Sequence, residues 1–131
     1  MNNRSDLIVR WVEKGDHDLG SAVLINTNIP AYRDTIAFHC QQAIEKYIKA
    51  WMIFEDLEIR KTHDIVYLLE LINTKQVVPD VWFEKALVVE DYGVELRYPD
   101  SKIELSDNDV EDAISIAKEF RAFIVPKLNL P

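Results

Sequence analysis

The chain has 131 residues, a length that suggests a single domain over residues 1–131. Hydrophobic residues make up 48% of it, and only 3 glycines and 5 prolines interrupt it, which favours long helices over a fold of many short strands. The formal net charge of -8 disfavours RNA or DNA as a broad binding partner, because such binding depends on phosphate contacts.

The sequence contains no stretch of 18 apolar residues, and its first residues lack the apolar core of a secretion signal. Its one cysteine, Cys40, cannot form a disulfide within the chain, which fits a reducing compartment. We therefore expect a cytoplasmic protein without a membrane span, in which Cys40 is a buried structural residue.

Two long helices are predicted in the first half of the chain. The first covers about residues 6–25, with Ser5 as its N-cap and Gly15 as a weak point that costs about 1 kcal/mol relative to Ala. The second covers about residues 32–55, because apolar side chains recur there at spacings of three and four. These side chains are Ile36, Cys40, Ile44, Tyr47, Ile48, Trp51 and Phe54.

Three further helices are predicted, at about residues 64–73, 81–91 and 108–127. Thr62 is expected to cap the first of these, Asp80 the second, and Ser106 or Asp107 the last. Gly93 is expected to end the second, before a long irregular loop. The fold class is therefore all-α: an antiparallel bundle of about five helices with an up-and-down four-helix core.

A polar stripe follows the second helix. At 100° per residue, the members of the stripe fall within 80° of one another. They are Thr35, His39, Gln42, Lys46 and Lys49. The stripe has two interpretations, both open from the sequence: a solvated helix face, or the lining of a cleft or dimer seam. In the second case His39 and Gln42 would select hydrogen-bond partners and the two lysines would contact phosphate.

Three short blocks carry a family resemblance. The first is similar to the Phe-His-x-Gln-Gln-Ala-x-Glu-Lys signature of the HEPN domain family, and the others to that family's Thr-His-Asp and Arg-Tyr-Pro elements. The matching residues are Phe38, His39, Gln41, Gln42, Ala43, Glu45 and Lys46, then Thr62, His63 and Asp64, then Arg97, Tyr98 and Pro99. The blocks occur in the expected order and span most of the chain.

The resemblance implies a small helical homodimer that works with a minimal nucleotidyltransferase partner in a toxin–antitoxin or defence system. It also implies binding of a nucleotide such as ATP or GTP, and no cofactor. The residues expected to contact the ligand are His39, Gln42, Lys46, Lys49, His63, Arg97 and Tyr98. Arg97 has two interpretations: an ion pair with a nearby acidic residue, or a ligand contact in which Tyr92 and Tyr98 stack on a base while the guanidinium engages phosphate.

Two alternatives remain: a toxin-like, metal-independent RNase with a composite site at the dimer interface, and a non-catalytic adaptor. RNases of the resembled family place Arg and His four to six residues apart. No His follows Arg97 here, and Arg33 and His39 have the spacing but lie 120° apart on their helix. Enzymatic activity is therefore uncertain and the catalytic residues are unknown.

The remaining polar residues suggest little chemistry of their own. The three histidines are scattered and predict no metal site. The acidic stretch Gly-Asp-His-Asp at 15–18 is expected to be a solvated turn of the first helix. His63 either bonds a backbone group at the start of its helix or points toward the stripe of the second helix.

Overall fold

The computed structural model describes residues 3–95 and 104–131. It contains five α-helices and a final 3₁₀ turn, and no strand occurs in those two ranges, so the all-α prediction is confirmed. The helices are α1 (Asn3–Asn28), α2 (Arg33–Phe54), α3 (Ile65–Asn73), α4 (Asp80–Glu95) and α5 (Asp107–Ile124), followed by the 3₁₀ turn Val125–Leu128.

Several predicted helix ends are wrong by a few residues. α1 begins at Asn3, so Ser5 lies within the helix instead of capping it. The cap of α3 is Asp64, whose carboxylate accepts a hydrogen bond from the backbone N–H of Tyr67 at 3.0 Å. α4 continues past Gly93 to Glu95, since a single glycine lowers helix stability by only about 1 kcal/mol.

Contacts between the helices define the topology. Arg4 near the start of α1 donates hydrogen bonds to the carbonyls of Ile53 and Phe54 at the end of α2, so these helices are antiparallel. α2 and α5 run in the same direction, because Arg33 pairs with Asp107 at their starts. α4 is antiparallel to α5, with Lys85 bound to Glu119. The long helices therefore alternate up and down along the chain.

α2 is the central helix of the bundle. Its second half is buried on all sides from Tyr47 to Ile53, where α1, α5 and α4 surround it. The single apolar face predicted for α2 is therefore too narrow a description, because this helix packs against neighbours around most of its circumference. Cys40 lies in the same core with no exposed surface, as predicted, and burial raises the pKa of its thiol to about 12.

An aromatic cluster closes one end of the bundle. The rings of Trp82 and Phe123 are stacked with centroids 4.2 Å apart, and Trp51 meets Phe123 edge-on at 5.6 Å. The amine of Lys127 in the 3₁₀ turn lies 4.3 Å from the centroid of Phe123. α2, α4, α5 and the final turn are thus joined at one point by ring contacts, which are worth more than their buried area alone.

Candidate functional site on the polar side of α2

Between Phe38 and Lys46, α2 reaches the protein surface along one narrow strip. Phe38 is exposed there, and His39, Gln42 and Lys46 are partly exposed. We call these four residues the α2 strip. They lie within 100° of one another on the helix, and the residues after Lys46 return to the core. Between Phe38 and Lys46, the α2 strip is therefore the part of this central helix that a ligand or partner can reach.

Asp18 of α1 anchors two members of the α2 strip. Nδ1 of His39 donates to one carboxylate oxygen of Asp18 at 2.9 Å, and the amine of Lys46 donates to the other. The side chain of Asp18 is mostly covered, whereas His39 and Lys46 keep 27% and 25% of theirs exposed. One carboxylate thus fixes two donors whose outer atoms still face solvent.

Glu45 forms a second, deeper group. Its carboxylate accepts from the amine of Lys49 at 3.0 Å and from Nδ1 of His63 at 2.8 Å. Lys49 is only 7% exposed, and its amine lies 5.6 Å from the ring centroid of Trp11. Of the two interpretations of His63, the structure shows the one in which the imidazole points toward α2.

Asp16 holds a third group together, on the core side of α1. Its carboxylate accepts a hydrogen bond from the hydroxyl of Tyr47 at 2.6 Å and two from Arg121 at 2.7 and 3.1 Å. Burial raises the pKa of Asp16, but the hydrogen bonds from Arg121 and Tyr47 outweigh it and hold that pKa below its usual value. Burial, with the bond to Asp16, raises the pKa of the Tyr47 hydroxyl.

A glycine makes this third group possible. A Cβ atom placed on Gly15 would lie 2.7 Å from Cε1 of Tyr47, so α1 can approach the tyrosine ring closely only without a side chain at that position. The prediction of a solvated turn at residues 15–18 is therefore wrong. Gly15 is buried, Asp16 and Asp18 are bonded to α2, and of these four residues His17 alone is exposed.

A fourth carboxylate group links α3 to α4. Burial, together with a hydrogen bond to the neighbouring carboxyl of Asp64, raises the pKa of Glu90 to about 7. Glu90 also accepts hydrogen bonds from the backbone N–H groups of Ile65 and Val66. His63 and Asp64 together therefore connect the start of α3 to α2 on one side and to α4 on the other.

The structure brings together most of the residues singled out from the sequence. His39, Gln42 and Lys46 lie in the α2 strip. The imidazole of His63 is hydrogen-bonded to Glu45, which lies between one and two helical turns after His39 on α2. Lys49 leaves the exposed stripe, because its amine is buried against Glu45. The predicted contacts of Arg97 and Tyr98 fall outside the described residues.

Sequence reasoning missed the two aspartates that organise the site. A signal was present, because Trp11, Asp18 and Ile25 recur every seven residues and so share one face of α1. An acidic residue in register with two apolar ones indicates a carboxylate that faces another helix. No such pattern marks Asp16, whose partner Arg121 is 105 residues away in the sequence.

The charges within the site nearly cancel. With neutral imidazoles, Asp18 balances Lys46 and Glu45 balances Lys49. Residues 3–95 and 104–131 contain no group of three histidine, cysteine, aspartate or glutamate side chains arranged to bind a metal ion. In the same ranges, no helix is both long and apolar enough to cross a bilayer.

Comparison with known proteins supports the relationship that the sequence blocks suggested. The fold matches the crystal structure of ST0689, an archaeal HEPN homologue, with a TM-score of 0.75 at 22% identity, over 93% of this chain and 98% of that one. It also matches TT1696 from Thermus thermophilus, with a TM-score of 0.77 at 26% identity, over 97% and 99% of the two chains. No curated protein sequence matches significantly. The model of the HEPN domain matches residues 8–128, and this chain belongs to the HEPN domain family.

Proposed function

We propose that this HEPN domain is a nucleotide-binding interaction module that works with a minimal nucleotidyltransferase partner in a toxin–antitoxin or defence system. The observation that carries the proposal is the shared anchoring of His39 and Lys46 by Asp18 on the exposed part of α2. Such anchoring holds donors in place before a ligand arrives, which lowers the entropic cost of binding.

Lys46 is suited to meet a phosphate. A lysine amine has three N–H donors, and the contact with Asp18 uses one of them. The other donors are available to a ligand because a quarter of the side chain is exposed. Asp18 neutralises part of the charge, so we expect weak binding, in the micromolar to millimolar range, that a partner protein would strengthen.

His39 and Gln42 are suited to recognise the rest of the ligand. Nδ1 of His39 is occupied by Asp18, so Nε2 is the ring nitrogen left to accept a hydrogen bond. Gln42 follows three residues later on the same strip and offers both a donor and an acceptor. Phe38, exposed beside them, provides a ring on which a base can stack.

The test is an NMR titration of the purified protein with ATP and with GTP, monitored through backbone amide shifts. We expect saturable shifts at residues 38–46 and around 63, and we expect Lys46→Ala to weaken binding by at least about fivefold. The same substitution should lower stability by less than about 1 kcal/mol, as for a surface change. Lys118→Ala, at an exposed lysine of α5, is the matched control and should bind as the unmodified protein does.

Two outcomes would contradict the nucleotide assignment. Equal affinity and equal melting of the Lys46→Ala protein would show that the α2 strip does not contact the ligand. An absence of shifts at millimolar nucleotide would leave the α2 strip as a protein interface alone. The nucleotidyltransferase part of the proposal is tested separately: a minimal nucleotidyltransferase that is encoded beside this protein and co-purifies with it would support this part, and the absence of one would contradict it.

A metal-independent RNase is a second candidate, because the site contains two carboxylate–histidine pairs. In both pairs a carboxylate holds Nδ1, which leaves Nε2 of His39 and of His63 for proton transfer. One imidazole would take the proton of the ribose 2′-hydroxyl as its oxygen attacks phosphorus. The other would give a proton to the departing 5′-oxygen. His63 is bonded to Glu45, which lies six residues after His39 on α2. The residues that anchor the two imidazoles are therefore separated by a rise of about 9 Å along the helix.

The RNase candidate is tested by cleavage of a fluorogenic RNA in the presence of EDTA. Activity that is lost in both His39→Ala and His63→Ala, but kept in His17→Ala, would support it. His17 is an exposed histidine of α1 and serves as the matched control. Cleavage that survives in all three variants would assign the activity to a contaminant.

A further inference from the structure

The outward face of α4 carries apolar side chains that the other described elements leave exposed. Val81, Leu87 and Val88 are 44%, 52% and 40% exposed. Together with Glu84 and Asp91 they occupy a 120° arc of the helix. A surface helix of a monomer normally places polar residues on such an arc, so this face has the composition of a binding surface. We call the set of Val81, Glu84, Leu87, Val88 and Asp91 the α4 face.

The net charge of the protein is concentrated in the part of the sequence that contains α4 and α5. Residues 80–119 contain 12 of the 23 acidic side chains and 4 of the 15 basic ones, which gives a net charge of -8. The rest of the chain is balanced, with 11 acidic and 11 basic side chains. The only lysine described on α4, Lys85, is already paired with Glu119 at 2.7 Å. The α4 face is therefore apolar and acidic at once.

This combination selects one kind of partner. Nucleic acid and anionic lipid are polyanions and would be repelled. A second copy would bring two acidic surfaces together, and like charges in contact oppose association. A basic amphipathic segment satisfies both properties, because its apolar side chains cover Leu87 and Val88 while its cations meet Glu84 and Asp91.

We propose that the α4 face binds a basic amphipathic helix of a partner protein. The proposal goes beyond nucleotide binding at the α2 strip and uses none of its residues. It places two binding surfaces on one small domain: a polar strip on α2 and an apolar, acidic face on α4.

The test uses a fluorescently labelled synthetic peptide of leucine and lysine, about 18 residues long, which forms roughly five turns of amphipathic helix. Binding is followed by fluorescence anisotropy at physiological salt. The double variant Leu87→Ser, Val88→Ser should weaken binding by about tenfold or more, as expected for central apolar contacts. Leu24→Ser on α1 is the matched control, because Leu24 is more exposed than either, at 64%, and should bind normally.

Several results would overturn the proposal. Equal affinity of the double variant, with binding abolished by salt alone, would mean that the peptide responds only to net charge. No binding of the peptide would exclude this class of partner. A dimer of the unmodified protein that dissociates in the double variant would assign the α4 face to a second copy. Lys46→Ala should leave peptide binding unchanged. The peptide experiment therefore tests the α4 face independently of whether the α2 strip binds a nucleotide.

Discussion

Asp16 and Asp18 are two residues apart on α1, and both bond to side chains of α2. Their partners on α2 differ in how far they are buried. Asp16 bonds to Tyr47, which is fully buried, and to Arg121 of α5, so three helices meet at one carboxylate. Asp18 bonds to His39 and Lys46, which remain partly exposed. The carboxylate of Asp16 therefore holds one fully buried partner, whereas both partners of Asp18 keep part of their side chains exposed.

The difference comes from what lies behind each carboxylate. Behind Asp16, Gly15 lets the backbone of α1 press against the ring of Tyr47, which has no exposed surface. Around Asp18 both partners sit at the edge of α2, where the helix meets the surface. A hydrogen bond stabilises a fold most when its loss leaves a buried partner unsatisfied, and an exposed partner can turn to water instead. Four measurements separate the two cases.

The largest effect is expected from Tyr47→Phe. This change removes a hydroxyl that donates to a charged carboxylate, an interaction worth about 1.5–3 kcal/mol, without changing the shape of the ring. We expect the free energy of unfolding in urea to fall by about 2 kcal/mol. Tyr32→Phe is the control, because Tyr32 is exposed, and it should change stability by less than about 0.5 kcal/mol.

Gly15→Ala tests the close packing of the α1 backbone against the ring of Tyr47. Alanine favours a helix by about 1 kcal/mol over glycine, but its Cβ would overlap a buried ring, and overpacking costs about 1–3 kcal/mol. We expect a net loss of about 1 kcal/mol. Gly20→Ala is the matched control, since no atom lies within 4 Å of a Cβ built there, and it should raise stability. A gain of equal size at both positions would show that the packing against Tyr47 is loose.

Asp18→Asn should change the free energy of unfolding only slightly and the proposed nucleotide affinity more strongly. His39 and Lys46 can both reach water when the charge is removed, so we expect a loss of less than about 1 kcal/mol in the same urea experiment. The proposed nucleotide affinity should change by more than this, because the two donors lose their fixed positions. A loss as large as that of Tyr47→Phe would make Asp18 a second structural lock.

The smallest effect concerns pH. Since the pKa of Asp16 is lower in the folded protein than in the unfolded chain, the unfolded state binds more protons as the pH falls. The stability that Asp16 contributes is therefore present above its unfolded pKa, about 4, and is lost as the pH drops through its folded pKa. The effect is limited by the partial exposure of Asp16. Asp16→Asn should show a shallower decline in melting temperature between about pH 5 and pH 2.5, and identical profiles would rule this contribution out.

Sequence reasoning predicted the five helices because apolar periodicity is a local property. It also placed His39, Gln42 and Lys46 on one side of α2, since their spacing fixes their angles. It could not predict that Lys49 is buried, because that depends on Trp11 and Glu45 packing around it. It missed Asp16 and Asp18, whose partners lie on other helices. Local spacing therefore predicted which residues share a face, but not which of those faces are covered.

The central position of α2 has a consequence for how the protein folds during its synthesis on the ribosome. After α1, the helix that covers most of α2 is α5, which is the last helix to be synthesised. Until residues near Phe123 emerge, Trp51 and its neighbours lack their partners and remain open to other hydrophobic surfaces. This domain cannot complete its fold stepwise from the N-terminus, and a chain truncated before α5 would be a substrate for chaperones and proteases.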